Sequence, residues 1–129
     1  MRLLLVTCAL LLLGTTAGSC QDTTELFIDT VPVLHVAPPL LAEQAWAYDL
    51  ACSGLHPTVR FEDINWWVAD LIAHSKRHNL EGYWGLPDSS SIVIDLRSVN
   101  NPSVLAHEIL HYMRQEGGHP DDPFKKCGV

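Results

Sequence analysis

Positive charge is scarce in this chain. Eight lysines and arginines face fifteen aspartates and glutamates, for a formal net charge of −7. A surface that acidic argues against nucleic acid as a partner. Long apolar runs are scarce too. The N-terminal apolar run, residues 3–13, is too short to span a bilayer, and no later stretch is long enough to do so. There is no internal repeat and no low-complexity tract. Cysteine is limited to four positions, Cys8, Cys20, Cys52 and Cys127.

What is present begins with the N-terminus. Met1-Arg2 gives a positive start, residues 3–13 an apolar centre, and Gly14 to Ser19 a small, polar end. That order predicts a secretory signal peptide over residues 1–19. Ala17-Gly18-Ser19 suits ordinary signal peptidase. Ala17-Gly18-Ser19-Cys20 also resembles part of a bacterial lipobox, which makes Cys20 a lipidation candidate and a membrane anchor. Either route exports the protein: periplasmic, membrane-anchored as a lipoprotein, or secreted. Removing residues 1–19 leaves about 110 residues and takes the formal charge to −8, because Arg2 is the only charge lost. One domain with a modest core fits that length. Cys8 leaves with the signal. In an oxidising compartment Cys52 and Cys127 are the expected disulfide.

Residues 20–38 carry little pattern and are expected to form an extended leader. From residue 39 to 129 the chain reads as one domain. Leu40, Leu41, Ala45, Tyr48 and Ala51 recur at helical spacing, with Pro39 at the start and Gly54 past the end, predicting a helix over 39–53. Residues 60–80 fit two patterns. Ile64, Trp67, Val68, Leu71 and Ile72 have helical spacing, yet Arg60 to Ala69 is rich in aromatic and branched residues, as strands are. Trp66 and Trp67 read as core. Ser91 to Leu96 is the clearest strand signal. A helix then follows, capped by Asn100 or Asn101, with Pro102 in its first turn and Gly117-Gly118 at its end.

That helix carries His107-Glu108-Ile109-Leu110-His111. Residues four apart share a helix face, so His107 and His111 can hold one zinc ion between them. Glu108 is offset from that face and reaches a water beside the metal rather than the metal itself. Leu105, Ile109, Tyr112 and Met113 form an apolar side to anchor the helix. A structural zinc site closes with four protein ligands, whereas three ligands and a water make a catalytic one. His119 is the natural third ligand, since Gly117-Gly118 allows the chain to turn back; Glu116, Asp121 and Asp122 are the nearby competitors. Zinc lowers the pKa of its water to about 7, and Glu108 is the general base that relays the proton to a leaving amine. Of the other histidines, His35 falls in the leader, His56 follows a helix end, and His74 and His78 sit beside Lys76 and Arg77 as a solvated surface.

These residues resemble the zincin metallopeptidases, and within them small exported bacterial proteins with one compact catalytic core. The resemblance covers residues 40–129 and rests on Cys52-Ser53-Gly54-Leu55, Ile64 to Val68, Ser91 to Leu96, Val104 to His111, His119-Pro120, and Phe124 with Cys127. It implies an α+β fold, a minimal zincin-like core in which a small sheet packs on an N-terminal helix and an active-site helix. It implies that Ile64–Ala69 is an inner strand and Ser91–Leu96 the edge strand that pairs with an extended peptide or protein substrate. The expected activity is zinc-dependent peptide hydrolysis outside the cytoplasm; the alternative is a non-catalytic zinc-binding envelope protein that retains the site. The chain departs from metzincins, where five residues separate the second and third histidines and a Met-turn follows. Here seven residues intervene and no methionine follows His119.

Overall fold

The computed structural model describes residues 25–28, 31–74 and 80–129. The predicted signal peptide, Cys20 and His78 lie outside the described residues, as does the His74 side chain. The chain runs β1 (Glu25–Ile28), β2 (Val31–Val36), α1 (Ala42–Ser53), a 3-10 turn (Phe61–Asp63), β3 (Asn65–Ala69), α2 (Leu71–His74), β4 (Gly82–Trp84), β5 (Ser91–Asp95), α3 (Pro102–Arg114) and α4 (Asp121–Cys127). The strands form one mixed sheet in the order β1-β2-β3-β5-β4. The α+β class expected from the sequence is the class observed.

Every residue of β5 is buried, because the strand is paired on both sides and covered on both faces. Its even positions, Ile92 and Ile94, join Trp66 in a core shared with α3 and α1. Its odd position Val93 joins Trp67, Ala69, Val31, Val33 and Leu71 on the other face. This alternation is the period-two geometry of a strand. It settles residues 65–69 as a strand rather than a helix, paired in parallel with β5 at Trp66↔Ile92 and Val68↔Ile94. The parallel crossover is fastened at its end by Asp95, which is fully buried. Its carboxylate accepts from the Ile72 amide at 3.0 Å and pairs with Arg97, which also reaches Asp70. The Arg97 guanidinium holds the Asp95 carboxyl well below the usual range.

Three expectations are corrected. Ser91–Leu96 is not the edge strand: β5 is internal and β4 forms that edge. The stretch expected as an extended leader contributes β1 and β2, an antiparallel pair that enters the sheet through Leu34↔Val68. The helix expected over 39–53 begins at Ala42, and it buries a different stripe. Ala42, Ala45, Asp49 and Ser53 face inward, while Leu40, Tyr48 and Leu50 are exposed. Small residues let α1 approach α3 and α4 closely, which outweighs burial of larger side chains. Trp46 still packs edge-on to Phe61 and beside Tyr112, so α1 lies chiefly against the helices.

Cys52 and Cys127 are joined, with a sequence separation of 75. On the chain-entropy model, closing such a loop contributes about 4.5 kcal/mol. The bond ties α4 to α1. The Tyr48 hydroxyl adds a second tie, donating to the Cys127 carbonyl at 2.7 Å.

Candidate metal centre

Helix α3 starts where Asn101 accepts a hydrogen bond from the Ser103 amide at 3.1 Å, with Pro102 in the first turn. Pro102 has no amide hydrogen to leave unpaired there. Leu105, Ile109, Tyr112 and Met113 are all buried, as the apolar side required. The helix ends at Gln115, whose φ of 53° is left-handed, two residues before the expected glycine pair. Gly118 then takes a φ of 81°, a turn that a side chain disfavours, and returns the chain toward the helix.

That return brings His119 onto the face of His107 and His111. His119 Nε2 lies 2.9 Å from His107 Nε2 and 3.2 Å from His111 Nε2. Zinc–nitrogen bonds of ~2.1 Å in a tetrahedron place ligand nitrogens ~3.4 Å apart, so the three imidazoles fit one zinc with little movement. His111 Nδ1 is 3.2 Å from the Glu116 carbonyl oxygen. Protonation at Nδ1 to donate there leaves the Nε2 lone pair for a metal. Burial, and then the neighbouring imidazoles, push His107 down to about 4; burial lowers His111 also. Neutral imidazole is the ligating form. The competitors turn elsewhere: Asp121 pairs with Lys125, Asp122 with Lys126 and the Glu116 carboxylate with Arg114.

Glu108 is buried against β4, in the same cleft as the three histidines. Burial pushes its carboxyl up to about 8. A cation held by the histidines opposes that shift, because an adjacent positive charge favours the carboxylate. The cleft has a volume of about 290 Å³. A hollow of about 350 Å³ between α1 and the start of α3 is larger, but neither a histidine nor an acidic side chain lines it.

Three positions that sequence reasoning did not assign to the site build its walls. Gly82 lies so close to Glu108 that a Cβ there would sit 2.6 Å from Glu108 Cγ. Trp84 stacks parallel to the His111 ring, 6.3 Å between centroids. Phe124 touches all three imidazoles, with centroids 5.1 Å from His107, 4.9 Å from His111 and 5.1 Å from His119. Phe124 entered the sequence reading only through the resemblance, and nothing local in the sequence marks Gly82 or Trp84. Of the remaining histidines with described side chains, His35 packs edge-on to Trp67 from β2, and His56 is exposed.

Comparison with family models, with curated proteins and with solved structures finds no match for this chain.

Proposed function

We propose that the chain is a zinc-dependent hydrolase of zincin type that cleaves peptide bonds outside the cytoplasm. The observation that carries this reading is the convergence of His107, His111 and His119 through Nε2, with the Glu108 carboxyl in the same cleft. Retention of the glutamate matters, since a purely structural site needs no base. Export is supported by the order of the first nineteen residues and is compatible with the Cys52–Cys127 bond.

In this reading the three histidines hold zinc, which supplies Lewis acidity and makes water ionisable near neutral pH. Glu108 takes the proton of the attacking water on its carboxylate and delivers it to the leaving amine nitrogen. Gly82 leaves room for that carboxylate, and Trp84 and Phe124 fix the imidazole planes. Strand β4 borders the cleft and forms an edge of the sheet. An extended peptide that adds to that edge would pass its backbone across the histidines.

The test is metal content together with cleavage of a mixed peptide pool. One zinc per chain, chelator-sensitive cleavage, and a Glu108→Gln protein that binds zinc without cleaving are expected. Zinc binding with no cleavage of any peptide in the pool would leave the non-catalytic zinc-binding reading in its place.

A further inference from the structure

Asp49 is the least explained group in the described structure. Its side chain is fully buried, and neither carboxylate oxygen has a hydrogen-bond partner. A carboxylate oxygen of Asp49 and the sulfurs of Cys52 and Cys127 all lie within 4.8 Å of one another. A buried acid without a partner is costly, and such groups call for a chemical explanation. The two cysteines also differ in burial: Cys127 is buried, while Cys52 is partly exposed.

We propose that Asp49, Cys52 and Cys127 form a thiol–disulfide exchange site in which Asp49 gives a proton to the leaving sulfur. An external dithiol attacks through its thiolate at Sγ of Cys52, the less buried of the two cysteines. The Cys52–Cys127 bond breaks, and Cys127 Sγ leaves with the electron pair. A thiolate buried there is strongly disfavoured, so its protonation by the neighbouring Asp49 is what lets the bond break. The dithiol's second sulfur then displaces Cys52, closing its own disulfide while its proton passes to Cys52 Sγ. Asp49 regains a proton from water, which balances the one the dithiol released on ionising. The groups placed beside Asp49 are the two bonded sulfurs, Cys52 on its own helix and Cys127 on α4, neither of which titrates while the bond is closed. Burial alone raises its carboxyl, to about 8, and no charge on α3 or α4 contributes.

The position of the bond gives the exchange a consequence. Cys127 anchors α4, and α4 carries Phe124, which rests on all three histidine rings. Opening the bond frees that support, so the redox state sets how tightly the histidines grip zinc. This consequence rests on the proposed zinc site; the exchange chemistry does not.

The test is the rate of reduction of the folded, oxidised protein by dithiothreitol, expressed per thiolate and followed by thiol counting from pH 6 to pH 9.5. In wild type the rate should fall at least about tenfold as Asp49 ionises, since one general acid contributes about 100-fold or more. Asp49→Asn and Asp49→Leu should both be slow at pH 6 and flat with pH. A flat wild-type profile overturns the proposal even if neither variant folds. Zinc affinity of the Cys52→Ser/Cys127→Ser protein, and of phosphine-reduced wild type freed of reductant, should be at least about tenfold weaker than that of the oxidised form. Equal affinities overturn the link through α4. If no form binds zinc, the proposed function fails while the dithiothreitol profile still decides the Asp49 site.

Discussion

Under the proposed function, replacing Gly82 by alanine isolates what places Glu108. An added Cβ would lie 2.6 Å from Glu108 Cγ, 2.7 Å from Oε1 and 2.9 Å from Cδ. Carbon–carbon contact is comfortable from about 3.5 Å, so the two groups must separate by about 0.9 Å. The backbone at Gly82 does not have the positive φ that would favour glycine there, so alanine adds crowding and little else. Strand β4 is held to β5 at Gly82↔Ile94, and Glu108 springs from a well-anchored helix. The Glu108 side chain therefore yields, and its crowded end is the stem as well as the tip. Overpacking of this kind costs about 1–3 kcal/mol of stability. A displacement near 1 Å at a reacting group costs about 100-fold in rate, or about 2.7 kcal/mol in the barrier. The three atoms nearest an added Cβ all belong to Glu108, not to a histidine. Gly82→Ala should thus keep one zinc per chain, lose about 100-fold in kcat/KM on a peptide drawn from the cleaved pool, and show a lower midpoint in urea. Activity within threefold of wild type, with the protein folded and loaded, would refute the claim that Gly82 makes the space in which Glu108 works.

Other perturbations read other parts of the molecule. His119→Ala should weaken zinc binding by at least about 100-fold, as loss of one of three ligands does, whereas Asp121→Ala and Asp122→Ala should stay within a few-fold; competition with a chromophoric chelator measures all three. Phe124→Ala should weaken zinc binding by about 10-fold without removing a ligand, and unchanged affinity would deny that the ring orients the imidazoles. Burial raises the Asp49 carboxyl from 3.8 to about 8, so the folded state keeps a proton the unfolded chain has lost. Its destabilisation is absent below pH 4 and grows as pH rises to 8, by up to about 1.4 kcal/mol per pH unit. Relative to wild type, zinc-free Asp49→Asn should therefore gain stability steadily from pH 4 to pH 8; parallel stability curves for the two proteins would contradict that assignment.

The two histidines and the glutamate of α3 were legible because a helix turns sequence spacing directly into geometry. Their capping signals, Asn101 and Pro102, are also local, and β5 was legible through its unbroken branched residues. The β1–β2 pair was not, since Pro32 and the exposed Leu34 interrupt the alternation that Val31 and Val33 begin. Proline inside a strand is a signal against one. The buried face of α1 misled for a different reason. The periodic large residues drew a face through Leu40 and Tyr48, whereas the packed stripe is Ala42, Ala45, Asp49 and Ser53.

The limit of legibility follows the division of labour in the site. His107, Glu108 and His111 belong to one helix, so their relation is fixed before the chain folds around them. His119 depends on one further local event, the left-handed turn at Gly118, which two adjacent glycines advertise. The groups that decide how well those four side chains are placed come from β4 and α4, brought in by strand pairing and by the Cys52–Cys127 tie. Glycine at position 82 means something only once β4 lies against Glu108, and phenylalanine at position 124 only once α4 is anchored. A sequence can therefore declare the proposed ligands and base of this site while leaving the groups packed around them silent. Those packed groups are also the ones whose replacement separates metal binding from turnover: Gly82→Ala should spare the first and depress the second, while Phe124→Ala should act on the first.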